Sequence, residues 1–476
     1  MVQKVVEIEK YPGTFIIDNF SSTTQLTNEI NISSHKRKST DQKQYDLYEH
    51  RNLDHPNTFY GALMHLVKSS LGTGILAMPM AFMHAGLLEG IIGTLLVGFL
   101  IAHTIQILVT ASHKMCVLTR VPSLGFSDTA EAVFKNGPKP FRSCASSARL
   151  FVDIGLLMCY LFGNGVYMVF IADSLQQINE FFSPHHVISK TLLILAVTPL
   201  LILCCQIRPL KFLVPFSVIA NISMLIAFAI TFFYMFKEIP HVPIEDRSLA
   251  KGIGGIPKFL VTIIFALEGI GTIMPVENSM KKPQFLGCPG VLNIGVSILV
   301  VMFGSIGCFG YYAYGDATDA SITYNLNKKD RTVVVARFCI AIAVFFTYML
   351  QFYVPMEITM RNVRPYLSAK YENIFQIVYR SLTVTVITLI AIVVPDLSTI
   401  IDIVGSVFFG ILGLFIPCFL DILVNWNTGL GKFQWKLYKN LCIIALALFV
   451  LSSGVTFSVS SLMNSKEVNG TTEDTQ

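Results

Sequence analysis

The chain has 476 residues, of which 53% are apolar and only 14% are charged. A soluble protein of this length could not carry that balance, because most of its surface would be hydrocarbon. The composition therefore excludes a soluble enzyme and gives no reason to expect a nucleic-acid partner. It predicts a protein of the lipid bilayer, where helices pair their own backbone polar groups.

Residues 1–57 are polar and contain no apolar core of the length that a signal peptide requires. We predict that they form a disordered cytosolic tail and that membrane insertion begins at an internal segment. The ten cysteines show neither metal-ligand spacing nor the pattern of a disulfide framework. No metal and no cofactor is therefore predicted.

Eleven segments of about 20 mostly apolar residues follow, each long enough to cross the hydrocarbon. They lie near 59–84, 88–112, 148–178, 187–205, 212–236, 258–280, 289–314, 332–356, 374–394, 398–423 and 439–463. Short polar or proline-marked turns separate them. The sequence thus predicts an all-α, polytopic membrane domain over 58–464 with eleven transmembrane helices, followed by a short tail over 465–476.

Lysine and arginine residues set the orientation, because they concentrate in cytosolic loops. Most of them fall on one side when the N-terminus is cytosolic. The predicted cytosolic loop at 113–149 carries Lys114, Arg120, Lys135, Lys139, Arg142 and Arg149. Eleven spans then place the C-terminus on the extracellular or lumenal side. The plasma membrane is the expected location, and a lysosomal or late endosomal membrane is the alternative.

Two of the predicted spans contain the same interruption. In the first span Gly72–Gly74 precede Pro79, and in the sixth span Gly269–Gly271 precede Pro275. Glycine weakens a helix by about 1 kcal/mol and proline by about 3 kcal/mol, so both spans are predicted to unwind at mid-membrane. Unpaired backbone in hydrocarbon is tolerated only where it lines a cavity or meets a ligand.

The separation of the two interruptions adds a second argument. Segments five spans apart cross the membrane in opposite directions, as they do in two inverted five-span halves. We predict such halves at about 58–236 and 258–423, with an extra helix at 439–463. Matched broken helices in inverted halves indicate a binding site at the midplane. The alternative is that both are packing kinks, since glycine and proline are common in membrane helices.

The chemistry of such breaks suits a zwitterion. Helix halves expose N–H groups at one end and carbonyls at the other, each with a partial charge. The N–H groups of Gly72, Thr73 and Gly74 could hold a carboxylate, and carbonyls near Phe265 and Glu268 could take an ammonium group. The predicted substrate-binding residues are Ser69, Gly72, Thr73, Gly74, Phe265, Glu268, Gly269 and Gly271.

These motifs resemble those of a known family. The chain resembles the proton-coupled amino acid transporters of the amino acid/auxin permease superfamily in two groups of residues. The first group is His65, Lys68, Gly72–Gly74, Pro79 and Ala85-Gly86, and the second is Glu268–Gly271, Pro275 and Glu277-Asn278. The resemblance covers about 59–463. It implies the five-plus-five inverted-repeat fold with broken helices one and six plus one extra helix. It also implies proton-driven import of small neutral amino acids such as glycine, alanine and proline.

The resemblance implies a role for His65, and the positions of other polar residues in the spans indicate further roles. His65 matches the histidine that the family uses for proton coupling, and imidazole changes charge near neutral pH. A histidine bonded to a neighbouring carbonyl is the alternative. Glu268, at the second break, is the next candidate, as ammonium partner or proton acceptor. Glu277 and Asn278 are interpreted as a hydrogen-bonding pair at an inner gate. Ser69-Ser70 departs from the Gly-Asn that the family often has.

The sequence lacks the features that two rival functions would require. A membrane enzyme would place paired acids and histidines near one face, and no H-E-x-x-H pattern occurs. A channel would show a filter-like loop, which is also missing. Sodium coupling remains open, because the hydroxyls of Ser69, Ser70 and Thr347 could bind sodium. An amino-acid sensor on the same scaffold also remains open. The sequence favours a symporter that works by alternating access.

Overall fold

The structure is a computed structural model that describes residues 45–53, 56–70, 72–208, 214–239, 243, 247–267, 269–326, 330–426 and 429–473. Residues 1–44 of the predicted tail and the candidate residue Glu268 lie outside this range. Helices make up most of the described residues, and the one β-type contact recorded among them is an isolated bridge between Asn57 and Met280. The predicted all-α class is confirmed.

The helices follow one another with short connections. The first seven are α1 (Phe59–Ser70), α2 (Gly74–Ala85), α3 (Leu87–Thr119), α4 (Phe126–Asn136), α5 (Ala145–Phe182), α6 (Lys190–Cys204) and α7 (Val214–Glu238). The next four are α8 (Ile256–Leu267), α9 (Ile270–Asn278), α10 (Val291–Tyr314) and α11 (Arg331–Val363). The last are α12 (Ala369–Val393), α13 (Leu397–Ile403), a π-helix (Val404–Phe415), α14 (Ile416–Asn425) and α15 (Trp435–Glu473).

Each predicted span coincides with one of these helices or helix pairs. Among the described residues, nine helical segments are long and apolar enough to cross a bilayer, and the bent pair α1–α2 makes ten. The remaining predicted span, 187–205, corresponds to α6, an apolar helix of 15 residues. The count of eleven therefore stays a prediction. Large apolar side chains such as Leu96, Phe99 and Leu225 point outward, as a lipid-facing surface requires.

The split between predicted spans nine and ten depends on a helix cap. The helix α12 ends at Val393, and the Asp396 carboxylate accepts the Thr399 N–H at 2.8 Å where α13 begins. A side-chain acceptor at this position satisfies one of the first four N–H groups of a helix. Predicted span ten then consists of α13, the π-helix and α14. It is therefore less regular than a single α-helix.

The predicted disordered tail is too long, because its last part packs against the helical domain. Residues 45–53 are described, and the side chains of Leu47 and Arg51 are buried. The two terminal guanidinium nitrogens of Arg51 donate to groups at the end of α9, and its Nε donates to the Pro122 carbonyl. The predicted cytosolic loop at 113–149 also contains a helix of its own, α4. At the other end, α15 continues to Glu473, past the predicted end of the last span.

Candidate functional site

The two predicted interruptions are real breaks in the helices. The helix α1 ends at Ser70 and α2 begins at Gly74, with a bend of 59° between them. The helix α8 ends at Leu267, and α9 begins at Ile270. Both breaks fall at the glycines. The prolines of the two motifs lie inside the helices that resume after the breaks, so the glycines mark the positions of the breaks.

A cavity of about 100 Å³ lies between the two breaks; we call it the central cavity. Seven of the predicted substrate-binding residues line it, namely Ser69, Gly72, Thr73, Gly74, Phe265, Gly269 and Gly271. The eighth, Glu268, lies outside the described residues. His65 is half-buried on α1, four residues before Ser69, and is not part of the lining. No Asp, Glu, His, Lys or Arg among the described residues lines this cavity.

Glycine is required where the two broken helices touch. A Cβ atom at Gly74 would lie 2.7 Å from the Cα atom of Ala266, so α2 and α8 meet backbone to backbone. A Cβ atom at Gly271 would overlap the hydroxyl group of Tyr160. Gly72 and Gly163, by contrast, have room for a Cβ atom. At Gly72 it would meet only the Tyr167 hydroxyl, at 3.7 Å, and at Gly163 it would meet nothing within 4 Å.

Hydroxyl groups connect the two breaks across the cavity. The Ser69 hydroxyl donates to the Leu66 carbonyl at 2.8 Å. The Thr272 hydroxyl lies 3.0 Å from the Ser69 hydroxyl and 2.8 Å from the Gly269 carbonyl. These contacts join the last turn of α1 to the first turn of α9. They also leave lone pairs of both hydroxyls beside the cavity.

The long helix α5 supplies residues that the sequence analysis missed. Its contributions to the lining are Leu156, Cys159, Tyr160, Gly163, Asn164 and Tyr167. The Asn164 side-chain amide donates to the Tyr160 carbonyl at 2.8 Å. Its carbonyl oxygen is buried without a hydrogen-bond partner in the described part of the chain. A polar residue in the middle of an apolar span was the available signal.

The cavity combines a positive and a negative pole. The first turns of α2 and α9 begin at it, and a helix N-terminus carries a partial positive charge. The ends of α1 and α8 present carbonyls, and Asn164 adds an unpaired acceptor. Such a site can hold a carboxylate and an ammonium group. No group of three His, Cys, Asp or Glu residues suited to a metal occurs among the described residues.

The end of α9 carries a second polar cluster, which we call the N-terminal bracket. Glu277 is fully buried and accepts two bonds from the Arg51 guanidinium, at 3.0 and 2.9 Å. Arg51 also donates to the carbonyls of Glu277 and Met280, and a ring nitrogen of His113 lies 2.8 Å from the Glu277 carboxylate. Burial raises the pKa of the Tyr48 phenol, which therefore stays protonated 3.5 Å from that carboxylate.

The predicted pairing of Glu277 with Asn278 is not what these contacts show. Asn278 instead donates to the carbonyl of Leu124, in the segment before α4, at 2.9 Å. The two residues thus tie α9 to different parts of the chain. Lys68 donates to the Ser217 hydroxyl on α7 at 2.9 Å, so its ammonium group is held away from the central cavity.

Comparison with known proteins agrees with this architecture. The family described as "Transmembrane amino acid transporter protein" matches residues 55–460. The Drosophila melanogaster protein "Proton-coupled amino acid transporter-like protein pathetic" is 35% identical over 429 residues, which are 89% of this chain and 90% of that protein. The Arabidopsis thaliana "Amino acid transporter AVT3C" is 27% identical over 414 residues, or 83% and 89% of the two chains.

A solved structure supports the fold. The transporter Mhp1 of the nucleobase-cation-symport-1 family, in a closed conformation with bromovinylhydantoin bound, aligns with a TM-score of 0.51 and 12% identity. The alignment covers 89% of this chain and 95% of Mhp1. It confirms the five-plus-five inverted-repeat fold, and the sequence relatives confirm the resemblance to the amino acid/auxin permease superfamily. The chain belongs to the family of transmembrane amino acid transporters.

Proposed function

We propose that this amino acid transporter is a secondary active symporter that carries small neutral amino acids together with protons by alternating access. The proposal depends above all on the central cavity between the two helix breaks. There the first turns of α2 and α9 offer N–H groups, and the unpaired Asn164 oxygen offers an acceptor. A zwitterion matches both poles, and Glu268, at the second break, remains the proposed ammonium partner.

The walls of the cavity support a small, neutral substrate. The rings of Phe265 and Phe409 lie with their centroids 6.3 Å apart, and both line the cavity. Aromatic walls offer no hydrogen-bond partner for a charged side chain and restrict its length. No Asp, Glu, His, Lys or Arg is among the described lining residues, which supports the same substrate class.

Proton coupling through His65 is the second part of the proposal. The residue lies one helical turn from Ser69, which lines the cavity, so a charge on the imidazole acts close to the substrate. One relative carries the words proton-coupled in its name. Sodium coupling is the alternative, because the hydroxyls of Ser69 and Ser70 also face the cavity. Thr347, the third hydroxyl considered, donates to the Ala343 carbonyl on its own helix.

Orientation and location complete the proposal. The N-terminus is cytosolic and the C-terminus extracellular or lumenal, in line with the basic loop at 113–149. The plasma membrane is the first choice of location, and a lysosomal or late endosomal membrane is the alternative. Both have an outer or lumenal side that is acidic or can become so, which gives an inward proton gradient.

Uptake of radiolabelled glycine, alanine and proline into proteoliposomes tests the proposal. We expect uptake to rise when the outside is acidic, to be independent of sodium, and to lose its acid stimulation in His65→Ala. Uptake that requires sodium at every pH would contradict proton coupling. Stoichiometric binding without flux would favour the sensor. Acid stimulation that persists in His65→Ala would remove His65 from the mechanism while leaving the carrier intact.

A further inference from the structure

A second, smaller cavity lies directly beside the central cavity. Its volume is about 40 Å³, and it shares the wall residues Leu156 and Gly271 with the central cavity. The other walls come from the end of α9, the end of α11 and the segment 123–127 that leads into α4. We call it the vestibule cavity. The two cavities are therefore neighbours on either side of Gly271.

Two buried polar atoms at the vestibule cavity have no partner. The Arg361 side chain is only 7% exposed and donates to the Asp153 carboxylate at 2.9 Å. Its Nε atom is buried without a hydrogen bond to any described group. The side-chain oxygen of Asn278 is likewise buried and unpaired in this part of the structure. Leaving a buried donor and a buried acceptor unpaired costs free energy, which a guest that bonds to both would recover.

The charges around the cavity favour a guest with an ammonium group. Arg149 lies 3.0 Å from Glu131 and 3.2 Å from Asp128, and Arg361 pairs with Asp153. Asp153 and Arg361 line the cavity, and the whole cluster contains three carboxylates and two guanidinium groups. The excess negative charge attracts an ammonium group, while the unpaired Nε–H of Arg361 is a donor for a carboxylate. Arg361 and Asn278, which carry these two unpaired atoms, are both among the residues that line the cavity.

We propose that the vestibule cavity is a second binding site for the zwitterionic amino acid, between the central cavity and the aqueous face at α4. The Nε–H of Arg361 donates to the substrate carboxylate, and the Asn278 oxygen accepts from the substrate ammonium group. This inference rests on the proposed function, since the guest is its substrate. The smaller volume makes glycine the substrate that fits with the least rearrangement.

Equilibrium binding of radiolabelled glycine to the purified full-length chain in nanodiscs tests the proposal. We expect two sites per chain in the wild type and one in Arg361→Lys, because lysine keeps the charge but lacks the Nε donor. The matched control is Arg364→Lys, three residues further on, where the arginine is 72% exposed and outside the cavity. That variant should retain two sites.

Two more variants separate the sites. Asn278→Leu removes the acceptor without touching the Arg361–Asp153 pair, and it should also leave one site, which covers the case that Arg361→Lys does not fold. Gly163→Leu fills the central cavity but not the vestibule cavity, so this variant should keep the vestibule site. Adding Arg361→Lys to Gly163→Leu should then abolish that remaining site. One site in the wild type, or two sites in both vestibule variants, would overturn the inference but spare the proposed function. No binding of glycine, alanine or proline to any variant would overturn both.

Discussion

At the scale of single residues, the lining of the central cavity comes partly from the glycine motifs and partly from the packing of unbroken helices. The glycines at the breaks bring backbone groups to the cavity, whereas Asn164 reaches it from the middle of an unbroken helix. A glycine next to it, Gly163, faces empty space in the same cavity. These two adjacent positions allow the size and the polarity of the site to be tested separately.

Filling the cavity at position 163 should block transport without harming the fold. Gly163→Leu is expected to reduce uptake of every substrate at least about tenfold, because its side chain occupies the space that the substrate needs. Thermal stability should be unchanged or slightly higher, since glycine disfavours a helix interior by about 1 kcal/mol relative to alanine. Proteoliposome uptake and thermal unfolding at equal protein levels measure the two effects.

The graded control at this position is Gly163→Ala. It should keep glycine uptake and weaken proline uptake more than alanine uptake, because one methyl group removes only part of the space. Wild-type uptake by Gly163→Leu would show that the substrate passes elsewhere.

Removing the unpaired acceptor should weaken binding of the ammonium group. Asn164→Leu has a similar volume and lacks the Oδ1 atom. A hydrogen bond to a charged group contributes about 1.5–3 kcal/mol, so the apparent KM for glycine should rise by roughly 10- to 150-fold. Asn136→Leu, at an exposed site on α4, is the matched control and should behave as the wild type. A KM unchanged in Asn164→Leu would exclude this oxygen from the site.

Sequence reasoning found the backbone part of the site and missed much of the side-chain part. Glycine pairs followed by proline leave a local signature, because they alter the helix where they stand. Tyr160, Asn164 and Gln351 lie on regular helices, and only the packing of α5 and α11 around the breaks brings them to the cavity. No short motif in the sequence indicates which side chains of α5 will face the cavity.

At the scale of elements, hydropathy located the spans better than their ends. The helices α3, α5 and α11 extend beyond the predicted spans, since hydropathy marks the hydrocarbon and a helix can continue into polar surroundings. The N-terminal bracket could not be predicted from local sequence either. Arg51 looks like one more basic residue of a polar tail, and its partner Glu277 lies far away along the chain.

The bracket should contribute strongly to stability. In Arg51→Gln the buried Glu277 carboxylate loses its guanidinium, and breaking a buried pair on one side costs about 3–5 kcal/mol. We expect a clear fall in the thermal unfolding midpoint for Arg51→Gln and for Glu277→Gln. The loss of stability in the double variant should be smaller than the sum of the losses in the two single variants, because neither charge is then left unpaired.

The control for the bracket is an exposed pair of the same chemistry. Arg364 lies 3.5 Å from Glu372 and is mostly exposed, and such pairs contribute about 0–1 kcal/mol. Arg364→Gln should therefore leave the unfolding midpoint almost unchanged. Additive effects of Arg51→Gln and Glu277→Gln would mean that the two residues act independently, against the observed contact.

At the scale of the whole molecule, the orientation depends on the short helix α6. Its 15 residues span only about 23 Å, less than the hydrocarbon thickness of about 30 Å. The helix α12 supplies polar partners for the residues that follow α6. Buried Arg380 donates to the Cys205 carbonyl at 2.7 Å, and Gln206 donates to the Ser381 hydroxyl at 3.1 Å. The backbone beyond the end of α6 thus has polar partners inside the protein and can lie at membrane depth.

If α6 crosses the bilayer, the chain has eleven spans and its two ends lie on opposite sides. Epitope tags at each end of the full chain test this in sealed vesicles with the cytosolic face outward. External protease should destroy the N-terminal tag and spare the C-terminal tag, and detergent should expose both. Loss of both tags in sealed vesicles would mean an even number of spans. In that case one of the eleven predicted spans does not cross, and α6 is the first candidate because it is shorter than the hydrocarbon.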